Sequence, residues 1–234
     1  EEQAKKPTIN EPVNIIAVSS RPYLNLKPRN DGREIALVVN NLPKEATEVE
    51  YELEYQAGTL IQGAFGSIEL GILPSSTDIL LGSCSAGGAC SYHEDVQGGT
   101  LTTKYRGPEN YALKNEWRFI SVDDAKGLFS SRDSKFQLDA GTSLDSSNFV
   151  IIMQTAGLPA EVNGELLSDA YGLFPSNPLP KDEQVELSLR LSEDSDTAII
   201  NAWNGNSWET FEATISEKIA TATVPLYEVY VLTK

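Results

Sequence analysis

One histidine, one methionine and two cysteines are all that 234 residues contain of the side chains most often found in reaction centres. With a single imidazole and no reactive-cysteine motif, the chain is short of the usual acid–base and nucleophile parts. No Gly-x-Ser-x-Gly elbow occurs to seat a serine nucleophile. Two thiols and one histidine cannot complete a four-ligand zinc shell without borrowing a carboxylate. No run of eighteen apolar residues is present, so no membrane insertion by this segment is expected. Basic residues are scarce as well: 18 Lys and Arg face 34 Asp and Glu, for a net charge of −16. A phosphate backbone would be repelled by that field, which argues against nucleic acid as a partner. The start, Glu1-Glu2-Gln3-Ala4-Lys5-Lys6, carries no signal peptide and suits a chain whose export signal has been removed.

What the sequence does contain is alternation. Val49, Tyr51, Leu53 and Tyr55 fall on one side of an extended backbone, and Glu48, Glu50, Glu52 and Glu54 on the other. Only a strand with one dry and one wet face wants this pattern. The two-residue period returns in Val185, Leu187, Leu189 and Leu191. Turn signals such as Asn30-Asp31-Gly32, Ala57-Gly58 and Leu73-Pro74-Ser75 recur every 8–12 residues or so, as sandwiches show. Asn204-Gly205 between Trp203 and Trp208 is a strong hairpin signal. No stretch sustains a 3.6-residue apolar period. One helical turn is expected near Asp123–Gly127, and Glu165–Tyr171 reads as short helix or strand. The fold class is therefore all-β, two tandem antiparallel β-sandwiches with little helix. Residues 1–12 read as a flexible arm, 13–121 as a first sandwich, 122–134 as a polar linker and 135–234 as a second sandwich.

Cys84 and Cys90 enclose Ser-Ala-Gly-Gly-Ala, and Gly87 and Gly88 can take the positive φ that a tight loop needs. This composition favours a disulfide over two free thiols. A disulfide would place the chain in an oxidising, extracytoplasmic compartment, secreted or in the cell envelope.

Three pieces of the second half carry a resemblance. Ser134–Gly141 looks like an opening strand and its turn. Ala170-Tyr171-Gly172-Leu173-Phe174-Pro175, followed by Gln184-Val185-Glu186-Leu187, looks like a middle motif, with Gln184 where proline is frequent. Ala198–Leu232 looks like a closing strand, a Trp-x-Gly-x-x-Trp hairpin and a final aromatic strand. Together they resemble the ZU5-like, Ig-like β-sandwich of extracellular proteins. The self-cleavage triad of some larger relatives has no counterpart, so the resemblance does not imply autoproteolysis. The first half, through Gln62-Gly63-Ala64-Phe65-Gly66 and the Cys84–Cys90 segment, is similar to an uncharacterised exported bacterial module. That similarity implies an envelope or secreted location and no known chemistry.

The remaining candidates each have two readings. His93, beside Glu94 and Asp95, is either a base or a surface histidine among acids. Trp203, Trp208 and Tyr92 are either sugar- or partner-contacting aromatics or cross-strand packing pairs. Asp123 and Asp124, with Glu193, Asp194 and Asp196, offer hard oxygen ligands for Ca, or are solvated turns; no EF-hand pattern occurs. Apart from Ca, no cofactor is expected. The function expected is non-enzymatic: adhesion, surface architecture or binding of a protein or glycan partner at the cell surface. The contacts expected to serve it are strand edges, the Cys84–Cys90 loop and a groove near Asp123 and Asp124. A carbohydrate-binding module is the first alternative. An enzyme using a pair of carboxylates on glycosides is the second.

Overall fold

The computed structural model describes residues 9–234, and residues 1–8 of the expected arm lie outside the described residues. Strands and short connections dominate. The first half holds β1 (Leu24–Pro28), β2 (Glu34–Val39), β3 (Glu48–Ala57), β4 (Leu60–Glu69) and β5 (Ser75–Leu80). It continues with β6 (Gly82–Cys84), β7 (Cys90–Tyr92), β8 (Val96–Arg106) and β9 (Tyr111–Ser121). A single helical turn, α1 (Val122–Ala125), precedes β10 (Leu128–Ser130), β11 (Phe136–Asp139), β12 (Phe149–Thr155) and β13 (Ala170–Pro175). The chain ends with β14 (Gln184–Arg190), β15 (Ile199–Trp203), β16 (Trp208–Glu212), β17 (Thr214–Ser216), β18 (Ile219–Pro225) and β19 (Val229–Thr233). Every strand-to-strand pairing between these elements is antiparallel. The fold is thus the all-β sandwich class expected.

One sheet organises the molecule. It has nine strands in the order β16-β15-β19-β13-β12-β9-β8-β3-β4. A three-stranded sheet, β1-β2-β5, packs on one face. A five-stranded sheet, β10-β11-β14-β18-β17, packs on the other. The alternation of β3 now has its partner: Val49, Tyr51, Leu53 and Tyr55 are buried in the first core with Leu26, Leu37 and Ile79. The glutamates of β3 stay on the opposite face, where Arg106 Nη2 donates to Glu50 Oε1 at 2.7 Å. In β14 the same period buries Val185, Leu187 and Leu189 in the second core.

The middle of the nine-stranded sheet is dry on both faces. Ile151 and Met153 of β12 point into the first core, and Val150 and Ile152 into the second. In β13, Phe174 faces one core and Tyr171 and Leu173 the other. In β19, Val229 and Val231 face the first, Tyr230 and Leu232 the second. Strands covered on both sides lose the polar alternation and become continuous apolar runs, which Phe-Val-Ile-Ile-Met and Val-Tyr-Val-Leu are.

This arrangement changes how the halves are joined. β9 pairs directly with β12, from Phe149↔Ser121 to Met153↔Trp117. Residues 122–134 are therefore not an extended linker. They form α1 and then β10, which enters the five-stranded sheet through Phe129↔Leu138. The helical alternative at Glu165–Tyr171 is also absent: Leu166 bridges to Thr233, and β13 begins at Ala170. At the other end of the chain, Glu11 is not free in solvent, because it pairs with the nearly buried Lys104 at 2.6 Å.

Candidate functional site

The Cys84–Cys90 disulfide is formed, with an S–S distance of 2.04 Å. It ties β6 to β7 at the directly opposed pair Cys84↔Cys90, and Gly88 takes φ +82° in the loop between them. The hairpin stands out from the body and is exposed along β7. Immediately after it, the chain returns to the protein: the His93 N–H donates to the Leu81 carbonyl at 2.8 Å.

His93 is anchored by its side chain too. Its Nδ1 is hydrogen-bonded to the Tyr55 hydroxyl at 2.8 Å. Tyr55 is buried against Trp117, with ring centroids 6.3 Å apart. Gly99 lies opposite both rings in the register, and a Cβ there would meet the Glu54 carbonyl at 2.0 Å, so only glycine fits this close crossing. Burial raises the pKa of the Tyr55 phenol, which keeps its hydroxyl protonated and available as a donor. The arrangement gives His93 a positioning partner but no nucleophile. Among the described residues, no hydroxyl or carboxylate other than Tyr55 OH is hydrogen-bonded to its ring.

Between this hairpin and the α1–β10 segment runs an open groove of about 1580 Å³. One wall is Tyr92, His93, Glu94 and Asp95, with Arg33 beside them. The opposite wall is Asp124, Leu128, Ser130 and Arg132. Arg118, Phe119 and Phe149 also line it. Tyr92 is 41% exposed, and the Arg33 guanidinium sits 4.5 Å from its ring centroid. Such a contact holds the ring in place while leaving both groups at the surface. Phe119 and Phe149 pack together with centroids 5.2 Å apart. Gly32 closes this end, since a Cβ there would come within 2.8 Å of the Phe149 ring. Arg118 Nη1 donates to Ser130 Oγ at 2.7 Å and so ties β9 to β10 across the groove. Arg33, Arg118 and Arg132 line the groove together with Asp31, Glu94, Asp95 and Asp124, giving it a mixed charge on a strongly acidic molecule.

The groove brings together some of the residues singled out from sequence and leaves others apart. Tyr92, His93 and Asp124 line it. Trp203 and Trp208 do not. They face each other across the β15–β16 hairpin at 5.3 Å, edge to face, half-buried against the first core. Trp208 Nε1 donates to the Ala160 carbonyl at 3.2 Å. They are a packing pair and form no flat exposed platform. The acidic candidates are scattered and partly paired: Asp123 with Lys126 at 3.2 Å, and Asp194 with Lys218 at 3.0 Å. Among the described residues, no group of three or more His, Cys, Asp or Glu is placed to hold a metal ion. Arg33, Arg118, Phe119 and Phe149 were not singled out from sequence. Arg33 had one usable signal, its place directly after the Asn-Asp-Gly turn; the others sit on ordinary strand positions. No described helix is long and apolar enough to cross a membrane.

Comparison with protein families, with curated proteins and with solved structures returned no match to this chain.

Proposed function

We propose that this chain is a non-enzymatic binding protein of the cell exterior, secreted or in the envelope, which holds an extended segment of a protein partner in the groove beside the disulfide-closed hairpin. The observation that carries this reading is the groove itself. Its volume exceeds the roughly 300–1,000 Å³ of sites built around small ligands, and it is open to solvent. Exposed Tyr92 under Arg33 has the composition of a contact anchor, because tyrosine and arginine dominate binding energy at protein interfaces. The three arginines and four carboxylates that line the groove suit the mixed charges of a polypeptide. The exposed Cys84–Cys90 bond supports an oxidising compartment.

A glycan partner has less in its favour. The face of Tyr92 that a sugar ring would need is shared with Arg33, and the two hairpin tryptophans are turned into the protein. Catalysis by a carboxylate pair has less in its favour in this groove, because its acids line a site open to solvent.

The test uses peptide and glycan arrays probed with the whole chain and with Tyr92→Ala and Arg33→Glu. Extended peptides retained by the parent and weakened at least about tenfold by either substitution would support the reading. Retention of glycans instead would move the assignment to the carbohydrate module. Peptide binding indifferent to both substitutions would sink the groove as the site.

A further inference from the structure

Apart from the two-stranded β6–β7 hairpin, the sheets among the described residues present six edge strands, and five of them are guarded. β1 carries Lys27 and Pro28. β5 carries Asp78, paired with Arg29 at 2.5 Å. β16 has only five residues and includes Glu209 and Glu212. β10 and β17 are three residues long. Short length, charge and proline are the usual devices that stop an edge from recruiting another strand.

β4 has none of them. It is ten residues long, pairs with β3 alone, and has no charged side chain from Leu60 to Ile68. In a chain of net charge −16 that is a neutral strip at the end of the largest sheet. It also exposes apolar surface: Leu60 at 62%, Ile61 at 71% and Phe65 at 38%. Beside it, the side of the first sandwich stays open as a hollow between Ala64 and Phe65 of β4 and Asp78–Leu80 of β5.

We infer that β4 is a self-association edge, at which two copies of this chain join their nine-stranded sheets by antiparallel β4–β4 pairing about a two-fold axis at Ala64. The sequence of the strand fits its own reverse. With Ala64 opposite Ala64, Leu60 faces Ile68, Ile61 faces Ser67, Gln62 faces Gly66, and Phe65 faces Gly63. On the outer face each Phe65 ring can then lie over the glycine of the other strand, a pairing in which an aromatic covers the backbone that glycine leaves bare. On the core face Ala64 sits on the axis and each Gln62 lies opposite a Gly66, so no two large side chains meet near the axis. The charge arrangement allows the approach. Glu69 of one strand comes opposite Thr59 of the other, not opposite an acid. The glutamate rows of the two β3 strands lie three strand spacings apart, about 14 Å. That is beyond the screening length of about 8 Å in physiological salt. A foreign strand would find the same backbone groups, but only a second copy brings the matching Phe65–Gly63 exchange twice. The pairing supplies about nine backbone hydrogen bonds. As a single seam it stays at the small end of interface sizes, below about 1,200 Å². The dimer is accordingly weak and depends on concentration.

The experiment is sedimentation equilibrium of the whole chain over about two decades of concentration, with hydrogen exchange followed at 60–68. The expected result is a monomer–dimer equilibrium in which these amides gain protection as concentration rises. Gly63→Lys adds a charge at an exposed position where a Cβ meets only the Leu53 carbonyl, at 3.6 Å, so folding should survive. It should weaken the dimer at least about tenfold. Phe65→Lys serves as the second variant, and thermal melting of both checks that each is folded. A chain monomeric throughout, or a dimer unchanged by both substitutions, overturns the proposal. So does protection of 60–68 by an unrelated extended peptide in a chain that never dimerises, which would assign the edge to a foreign partner.

Discussion

The two cores of this molecule share strands but differ in how completely their buried polar atoms are paired. In the first, Asn115 Oδ1 and Trp117 Nε1 are buried without a hydrogen-bond partner, and Tyr105 OH and Thr103 Oγ1 have only each other. In the second, the buried tyrosines are engaged: Tyr171 OH donates to Asp133 Oδ2 at 2.7 Å, and Tyr230 OH to the Pro225 carbonyl at 2.8 Å. A buried group that finds no partner forfeits about 1–3 kcal/mol of hydration, whereas a satisfied one returns a modest net gain. The second core is thus specified by directional contacts as well as by shape. The first has directional contacts at its margin, between Tyr55 OH and His93 Nδ1 and from Tyr111 OH to the Lys44 carbonyl, while its centre leans on shape and on the stacking of Tyr105 on Tyr111 at 4.7 Å. The groove borders both cores, whereas the open β4 edge lies beside the first alone.

Truncation should hit the second core hardest. Phe136 is fully buried and contacts both Tyr171 and Tyr230, so Phe136→Ala should cost about 3–5 kcal/mol in urea unfolding. A cost under about 1 kcal/mol would mean that this core is not the tighter one. A matched pair of conservative changes then separates the cores by size. Tyr171→Phe breaks a bond to a carboxylate and should destabilise by about 1.5–3 kcal/mol. Tyr105→Phe removes a hydroxyl whose one neighbour is the Thr103 hydroxyl and should cost less, under about 1 kcal/mol. Equal losses in the two variants would erase the distinction.

Reduction of Cys84–Cys90 touches the first core's side only. The chain-entropy relation gives so short a loop about 2 kcal/mol. The measurements are denaturation with and without reductant, and a mass gain of two hydrogens on reduction.

Acid should narrow the gap between the cores. Burial pushes the Asp133 carboxyl up, but hydrogen bonds from Ser131, Tyr171 and the Lys135 N–H outweigh it and leave its pKa below the ordinary value. A carboxylate depressed in the folded state stabilises above its unfolded pKa and loses that contribution as pH falls through the folded one. The penalty of Tyr171→Phe should therefore shrink in strong acid, as read from melting temperatures of both proteins between neutral pH and the low end of the carboxylate range. A penalty independent of pH would show that Asp133 is not the partner that matters. The smallest effect is expected from calcium: with Asp123 and Asp194 already held by lysines, chelator should leave the melting curve in place. A clear shift would mean that the acidic loops bind the ion.

The parts of the fold that could be read from sequence are those with one wet face. β3 and β14 announced their orientation because every second residue is charged or polar. The Trp203–Trp208 hairpin was readable from Asn204-Gly205, and Gly205 does take φ +95°. The shared sheet was not readable. β12, β13 and β19 are buried on both sides, so nothing in their residues tells which face meets which core or that β9 is the neighbour of β12. A polar stretch such as 122–134 reads as a connection because α1 and β10 are each too short to show a period. For the groove, Tyr92 and Asp124 were visible as candidates. Arg33, Arg118, Phe119 and Phe149 come together only through β-pairing of residues far apart in the chain, which local pattern does not encode.

Since β12, β13 and β19 are a party wall, neither half owns them. Cutting the chain between residues 121 and 135 would leave each fragment with a bare hydrocarbon flank. Loosening one side withdraws the backing from the other, so the halves should surrender together, as a single calorimetric peak with no half-melted intermediate.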